Sequence, residues 1–292
     1  MNRKYLPIIS ITVLLAMMVL TSGCGVKING KEYEMFSVGE KEKSGVMSAI
    51  GSEASEEFTT SVNVEDAEKL MLSVNAGNID FQNSDNSKIK IEADKKVRGA
   101  SENDKDTILE NMNIVLERDG KNLKIVVKTK DKNDFWEWLK DNYNVFQVTI
   151  NYKISLPKGI SAIDVNTGAG NIEVQNLSAE LSINTGAGII DVDEVTALGS
   201  NKLNTGTGNI DFSGNVDDIK SFEASTGAGT IDFNVPEDSR MSLEAHTGIG
   251  LLSGSFIKKN DNNKFSFEGD INGGGPRVKL NSGVGNVSVD KD

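Results

Sequence analysis

The stretch Val165-Asn166-Thr167-Gly168-Ala169-Gly170-Asn171-Ile172-Glu173-Val174 decides the fold, because it recurs along the chain with its glycines and flanking apolar residues. The second glycines of five consecutive copies follow one another at spacings of 18, 20, 21 and 21 residues. A repeat of about twenty residues is typical of solenoids and other stacked arrays. Together with the quoted stretch there are seven copies, and the other six begin at Val74, Ile183, Leu203, Ala224, Ala245 and Leu280.

Each copy indicates two short strands joined by a Gly-x-Gly corner. Leu181 and Ile183 alternate with polar residues before the glycines, and Ile190 and Val192 do so after them. This period of two is typical of strands with one buried face. One such unit cannot bury its apolar face alone, whereas stacked units share a continuous core. The sequence therefore predicts an all-β fold, a β-solenoid or closely related stacked β-repeat with about 20 residues per rung.

The corner glycines are predicted to be required by the shape of the backbone. In the copy that begins at Val74, Asn75 stands where the first glycine is expected. Asn enters positive φ more readily than most residues, so this exchange predicts positive φ at the first glycine. The predicted structural glycines are Gly77, Gly168, Gly170, Gly186, Gly188, Gly206, Gly208, Gly227, Gly229, Gly248, Gly250, Gly283 and Gly285.

Two insertions, at about residues 85–146 and 254–275, interrupt the repeat. The second is predicted to hold a hairpin around residues 260–263. In the first, Asp119-Gly120 is a hairpin turn signal between two apolar runs. Its predicted elements are a strand at 88–93, a helix at 102–111, hairpin strands at 114–117 and 123–128, and a strand at 146–156 that leads into the main repeat.

The first insertion also contains both tryptophans of the chain, within residues 131–146. Asp134 followed by Glu137 indicates an N-cap and capping box, and aromatic residues then recur at helical spacing. This predicts a short helix that either caps an end of the stack or presents an aromatic patch to a partner. The candidate partner-binding residues are Phe135, Trp136, Trp138 and Tyr143.

The N-terminus has the pattern of an export signal. Arg3 and Lys4 precede an uncharged, mostly aliphatic run at 6–20, which is shorter than the roughly 20 apolar residues of a membrane-spanning helix. Small residues at 21–23 lead into Cys24, the only cysteine. This segment resembles the lipobox of bacterial lipoproteins, which implies cleavage before Cys24 and attachment of lipid to it.

These patterns divide the chain into a lipoprotein signal peptide at 1–23, a lipidated tether at 24–57 and a β-repeat domain at 58–290. The tether is rich in charged residues, Ser and Gly, although Asn29-Gly30 indicates a small hairpin. We expect an extracytoplasmic protein that is lipid-anchored to the cell membrane.

Charge and cysteine content narrow the functional classes. The formal net charge of −12 becomes −14 when the signal peptide, with its two cationic side chains, is removed. An acidic protein of this kind is not expected to bind nucleic acid. A single cysteine permits no disulfide within the chain, so the core must hold the fold. No cofactor is expected.

Aligning the copies places acidic residues in one outward-facing column. Like charges on adjacent rungs are unfavourable unless they are neutralised, and Ca²⁺ accepts clustered carboxylates. The column is therefore either solvated charge or a weak calcium site, with Asp191, Asp211 and Asp232 as its candidate ligands. The whole column is Asp80, Glu173, Asp191, Asp211 and Asp232, followed by Ser253 and Ser288 in the later copies.

Two further columns argue against catalysis. One holds mostly Asn and is predicted to form a hydrogen-bonded ladder, in which His246 occupies the same position. The other holds a hydroxyl residue at most corners, so no single hydroxyl stands out as a nucleophile; its members are Thr167, Thr185, Thr205, Thr226, Thr247 and Ser282. Lys202 is the only base expected near the acidic column, as a polysaccharide lyase would need. The sequence predicts a protein that is not an enzyme.

The order of these elements resembles a known family. Residues 70–72 precede the corner at 75–81, the hairpin follows, and then come Val148–Pro157, the Thr-Gly-Ala-Gly copies and the closing segment 273–283. Over about residues 58–290 this is similar to the putative-adhesin domain family of unknown function, with toast-rack-like β-solenoid repeats, which includes LiaG-like envelope proteins.

The resemblance implies an envelope-exposed protein with a binding or scaffold role, adhesin-like, in surface interaction or envelope stress. Its expected partners are the membrane, through the lipid on Cys24, and an envelope glycan or surface protein. The family offers no catalytic residues to carry over. A polysaccharide-acting β-solenoid enzyme and a calcium-binding surface protein stay open as alternatives.

Overall fold

The computed structural model describes residues 26–28, 31–33, 53–143, 147–257 and 264–292. In this part of the chain twenty strands form one large mixed sheet, and two more form a separate hairpin. The helices are α1 (Glu102–Asn111) and α2 (Phe135–Asn142). In chain order the strands are β1 (Val26–Ile28), β2 (Lys31–Tyr33), β3 (Ala54–Asn63), β4 (Lys69–Ala76), β5 (Ile79–Ser84), β6 (Lys88–Arg98), β7 (Asn113–Asp119), β8 (Asn122–Lys128), β9 (Gln147–Pro157), β10 (Ala162–Ala169), β11 (Ile172–Gln175), β12 (Ser178–Ala187), β13 (Ile190–Ala197), β14 (Gly199–Thr207), β15 (Ile210–Asn215), β16 (Ile219–Ala228), β17 (Ile231–Val235), β18 (Met241–Ile249), β19 (Leu252–Ser253), β20 (Ser266–Ile271), β21 (Arg277–Val284) and β22 (Val287–Lys291).

The strands that precede the corner glycines form one parallel ladder. Its spatial order is β4, β10, β12, β14, β16, β21 and β18. Pairing follows the sequence repeat, since Val165 lies opposite Ile183 and Ile183 lies opposite Leu203. Because side chains alternate with a period of two, this register keeps every apolar residue on the same face.

The strands that follow the corner glycines form a second parallel ladder. Its spatial order is β5, β11, β13, β15, β17, β22 and β19. Each Gly-x-Gly corner leads from a strand of the first ladder into a strand of the second. The mostly-β fold that the sequence predicts is therefore confirmed, as one large mixed sheet.

The core lies between the two ladders. Phe222 belongs to the first ladder, whereas Phe212 and Phe233 belong to the second, and all three are buried. The rings of Phe212 and Phe233 stack with centroids 5.1 Å apart, and the Phe222 ring meets Phe212 edge-on at 4.7 Å. Aromatic pairs in these geometries add to the hydrophobic gain from burial.

The last two rungs stack in an order that differs from their order along the chain. Successive copies were expected to stack one upon the next, but β21 and β22 lie between the β16–β17 rung and the β18–β19 rung. The second insertion is the cause. Within it β20 returns antiparallel along β18, with Met241 opposite Ile271, and occupies the far edge of β18. The strand β21 of the final copy therefore pairs with the other edge of β18, the one that faces β16. Residues 260–263 of the predicted hairpin lie outside the described residues.

The first insertion extends the ladders with antiparallel strands. β9 pairs parallel to β5, β6 pairs antiparallel to β9, and β3 pairs antiparallel to β6. β8 pairs parallel to β4 and forms the predicted hairpin with β7. Helix α1 has the predicted bounds, and the backbone N–H of Asp104 donates to its N-cap, Ser101. β6 is longer than predicted because it pairs with β3 and β9 along its length. The hairpin predicted at Asn29-Gly30 is present as β1 paired with β2.

The second glycine of each corner has two reasons to be glycine. Its φ lies between 141° and 154° in six of the corners, a region that other residues rarely enter. Stacking leaves no room for a side chain either. A Cβ on Gly208 would lie 2.0 Å from the carbonyl oxygen of Gly188 on the rung below. The glycines with this φ are Gly77, Gly170, Gly188, Gly208, Gly229 and Gly285.

The prediction of positive φ at the first glycine is wrong. Gly206 and Asn75 are both absent from the residues with positive φ. Gly206 is constrained by close approach instead, because a Cβ there would lie 2.5 Å from the carbonyl oxygen of Gly186. Asn75 lies on the first rung of the repeat stack, where the pairing of β4 with β8 ends at Leu72 and Ile125. We attribute the tolerated side chain of Asn75 to this place in the stack.

Replacing Gly208 with Ala should lower the free energy of unfolding by at least about 2 kcal/mol. The added methyl group would push against the backbone of Gly188, and alanine would be held at a positive φ that it rarely adopts. Urea denaturation followed by circular dichroism measures the change. The control is Thr207→Ala, an exposed neighbour in the same corner, which should change stability by no more than about 0.5 kcal/mol. Equal midpoints for the two variants would contradict the close stacking of the corners.

Candidate functional site: the outer acidic column

Five carboxylates lie side by side on the outer face of the second ladder. Asp191 lies opposite Asp211, and Asp211 lies opposite Asp232, on strands about 4.8 Å apart. The apolar neighbours Val192 and Phe212 point into the core, so the carboxylates face outward. The register is the one that the repeat predicts. The complete column is Asp80, Glu173, Asp191, Asp211 and Asp232, continued by Ser288 and Ser253.

The charge of this column is largely uncompensated. Partial burial raises the pKa of Asp211 to about 6, with smaller contributions from the charge and hydrogen bond of Asp232 and the charge of Asp191. Burial, and then the charge of Asp193, also raises the pKa of Asp191. In the described part of the chain, the one cation within ion-pair distance of the column is Lys153, which lies 4.0 Å from Asp80.

The column does not gather into a metal centre. Among the residues that the structure describes, no group of three or more His, Cys, Asp and Glu side chains could hold a metal ion. The calcium candidates Asp191, Asp211 and Asp232 extend along the ladder, one per strand. Ca²⁺ takes six to eight oxygen ligands around one point, and a single row of carboxylates does not provide that geometry.

Lys202 lies on the opposite face of the molecule from the acidic column. It belongs to β14 in the first ladder, between Ser182 and Glu223 on the neighbouring strands. The sequence suggested that Lys202 lies near the carboxylates, and this expectation is wrong. The Gly-x-Gly corner sends the residues before and after it into different ladders, so short separation along the chain does not bring them together.

The polar column on the first ladder is hydrogen-bonded as predicted. The Asn184 Nδ2 donates to Asn166 Oδ1 at 3.3 Å, and the Asn204 Nδ2 donates to Asn184 Oδ1 at 2.8 Å. His246 occupies the same column opposite Asn281 and is exposed. These contacts make the column part of the scaffold.

The threonine column stabilises the corners. The Thr205 hydroxyl donates to the carbonyl of Gly188 at 3.0 Å, and the Thr226 hydroxyl donates to that of Gly208 at 2.9 Å. Both threonines are buried. A buried carbonyl without a donor is unfavourable, so each hydroxyl supplies a hydrogen bond to a corner carbonyl of the rung beneath it. This arrangement accounts for the repetition of Thr without any catalytic role.

A second amide column escaped the sequence interpretation. Asn171 accepts a hydrogen bond from the backbone N–H of Ile189 at 3.0 Å, and Asn209 accepts one from the N–H of Thr230 at 3.0 Å. Each bond joins one corner to the next rung. Asn occurs directly after the second glycine in several copies, which is the signal that could have revealed this role. These residues are Asn78, Asn171, Asn209 and Asn286.

The aromatic helix α2 packs onto the core beside β8. Phe135 is fully buried, so it cannot contact a partner on the surface, and the proposal that it binds one is wrong. Trp136 and Trp138 are partly buried, with ring centroids 5.1 Å and 5.9 Å from that of Phe135. Tyr143 meets Trp138 edge-on at 5.4 Å. This burial favours the capping role over an exposed aromatic patch.

The predicted lipidation site, Cys24, lies outside the described residues. Within the described residues, the helices are too short or too polar to span a bilayer.

Replacing Asp211 with Asn should stabilise the protein at neutral pH but not in acid. Below about pH 3 this carboxyl is protonated in both the folded and unfolded states. As the pH rises towards 6, the unfolded state ionises more readily, so the wild-type protein loses stability. The carboxyl is partly exposed, and solvent screening limits the gain of the variant to about 1 kcal/mol, a few degrees in Tm.

Thermal unfolding at pH 3 and pH 7.5 measures this difference. The control is Asp106→Asn, which removes an exposed carboxylate on α1 and should give the same small change at both pH values. A stabilisation by Asp211→Asn that is independent of pH would contradict the raised pKa.

Comparison with known proteins gives structural similarity alone. No family model matches the chain, and no curated protein matches it. A cell adhesion protein of Clostridium sporogenes, described as putative, has a TM-score of 0.45 and 18% identity over 82% of this chain and 100% of its own. A putative adhesin of Bacteroides fragilis has a TM-score of 0.36 and 14% identity over 81% of this chain and 97% of its own. A putative lipid binding protein of Parabacteroides distasonis has a TM-score of 0.27 and 13% identity over 81% of this chain and 96% of its own. Over about 81% of its length, this chain is similar in structure to solved proteins described as putative adhesins, a family of unknown function.

Proposed function

We propose that the protein is a lipid-anchored cell-envelope protein whose β-repeat domain has a binding or scaffold role, adhesin-like, in surface interaction or envelope stress. In this proposal it is exported, cleaved before Cys24 and held outside the membrane by the lipid on that residue. It is not an enzyme. The observation that carries the binding role is the uncompensated column of carboxylates on the second ladder.

The carboxylates of the column reduce the stability of the protein, and the fold does not require them. Like charges directly opposite one another on neighbouring strands are destabilising, and the charges of Asp232 and Asp191 add to the partial burial that raises the pKa of Asp211. Ser288 and Ser253 occupy the same column on the last rungs, so an uncharged residue fits the position equally well. We attribute the retained carboxylates to contact with a partner.

The geometry of the column suggests the chemistry of that partner. Parallel strands hold the carboxylates at a regular spacing of about 4.8 Å, and a rigid surface loses little entropy on binding. A partner with repeated cationic groups, carried by an envelope glycan or a surface protein, complements such an array. The two in-register parallel ladders also support the interpretation of the repeat as a β-solenoid.

The alternatives gain no comparable support. A polysaccharide-acting enzyme needs a base near the carboxylates, and Lys202 lies on the other ladder. A calcium site needs converging ligands, and the candidate carboxylates are one to a strand.

Changing Cys24 to Ser tests the anchor. We expect the variant to lose labelling by a radioactive or clickable fatty acid, and to accumulate as uncleaved precursor or as released protein. The Ser22→Ala variant keeps the cysteine and a small residue before it, so its labelling should equal that of the wild type. Normal acyl labelling of Cys24→Ser would refute the lipoprotein interpretation.

A charge-neutral column tests the binding role. Crosslinking in cells should capture the partner with the wild-type protein and at least fivefold less with the combined variant Asp191→Asn, Asp211→Asn and Asp232→Asn. The asparagines keep the size of the side chains and remove the charge, so the fold should persist.

The matched control changes the net charge by the same amount at another place on the surface. It combines Asp106→Asn, Glu137→Gln and Asp141→Asn, three exposed acidic residues on the helices, and should capture the partner normally. Equal loss in both variants would show a general effect of net charge, and no loss in either would refute the role of the column.

A further inference from the structure

Large apolar side chains are exposed at the corners of the last two rungs. Ile249 is 69% exposed, Leu251 62% and Val284 52%, and the two corners stack with Ile249 opposite Val284. We call these three residues the terminal corner patch. Exposed apolar side chains that lie together, rather than singly, mark interaction surfaces.

The repeat itself does not require these side chains. In the column of Ile249 and Val284, the preceding rungs carry small residues in the same backbone position. Leu251 stands where Asn286 and Asn209 stand on other rungs. In the column of Ile249 and Val284, the change from small to large and apolar is therefore confined to this end of the stack. The column of Leu251 also has an exposed apolar residue on a middle rung, Ile189. The small residues of the first column are Ala169, Ala187, Thr207 and Ala228.

The acidic column ends where the patch begins. Its last carboxylate is Asp232, and Ser288 and Ser253 follow on the two rungs that carry the patch. Exposed Lys264 also lies next to this rung, because the carbonyl of its neighbour Phe265 accepts a hydrogen bond from the Thr247 N–H at 2.8 Å. The rungs that carry the patch thus have serine in place of the column's carboxylates, and Lys264 places a positive charge beside them.

This combination fits a bilayer surface. An apolar group beside a cation inserts at the boundary between acyl chains and anionic headgroups, whereas carboxylates there would be repelled. The patch lies at a corner between the two ladders, which is an outer edge of the domain. Twenty residues separate β2 from β3, and such a length can span up to about 70 Å when extended, so an anchored domain can reach the membrane with this edge.

We infer that the terminal corner patch of Ile249, Leu251 and Val284 contacts the membrane and orients the domain on it, with the acidic column left facing away for its partner. This inference rests on the proposed lipid anchoring, and adds to it a second, non-covalent contact with lipid.

A fluorescent reporter tests the contact in the lipidated full-length protein. Because Cys24 is the only cysteine and carries the lipid, the variant Ile249→Cys can be labelled at one site with a polarity-sensitive fluorophore. The protein is reconstituted in vesicles of phosphatidylethanolamine and phosphatidylglycerol. We expect blue-shifted emission, and at least twofold quenching by phospholipids with a nitroxide on the acyl chain.

Ala169→Cys is the matched control. It lies in the same column, about five strand spacings or 24 Å away, and its label should stay in water and unquenched. Adding Leu251→Asn and Val284→Ala to the labelled Ile249→Cys protein restores residues found elsewhere in these columns. This variant should lose the quenching while keeping its circular dichroism spectrum.

The other outcomes distinguish failure of the membrane contact from failure of the proposed anchoring. An anchored protein whose label at 249 is not quenched refutes the membrane contact and leaves the proposed function intact. A blue shift without nitroxide quenching also refutes it, because a protein partner or a second copy then covers the patch. Equal quenching at 169 and 249, or quenching that survives the restored residues, refutes a specific contact. A protein that takes no lipid on Cys24 refutes the anchoring and the inference built on it.

Discussion

The close stacking of Gly-x-Gly corners is the constraint on which the rest of the molecule depends. At Gly208 the space for a side chain is taken by the backbone of Gly188, one rung below. Successive corners are then joined by hydrogen bonds, such as the one that Thr205 donates and the one that Asn171 accepts. Because the corners fix the position of each rung, the strands on either side have one register available, and a shift by a single residue would turn the core face outward.

This register determines the surface as well as the core. Residues that occupy equivalent positions in the repeat stack directly upon one another, so a preference repeated in the sequence becomes a column on the surface. The same rule that aligns the buried Phe212 with Phe233 also aligns Asp211 with Asp232. The raised pKa of Asp211 comes first from its partial burial, and the register adds to it the charges of the aligned Asp232 and Asp191.

The corners also separate the two outer faces. The hydrogen-bonded amides and Lys202 lie on the first ladder, while the carboxylates lie on the second. Between them lies a core that includes Phe222. The proposed binding face and the proposed membrane edge thus occupy different parts of a rigid scaffold, which allows one to be presented while the other is engaged.

The sequence alone determined the repeat, its strands and corners, the acidic column, the bounds of α1 and the hairpin of β7 and β8. These follow from local periodicity, turn chemistry and caps, which neighbouring residues specify.

Only the tertiary structure decided three other features. They are the insertion of the final copy beneath β18, the opposite placement of Lys202 and the acidic column, and the burial of Phe135. The close-contact role of Gly206 also needed the structure. Each depends on which strand edge or surface is occupied by a segment distant in the chain, and periodicity within one repeat carries no information about that choice.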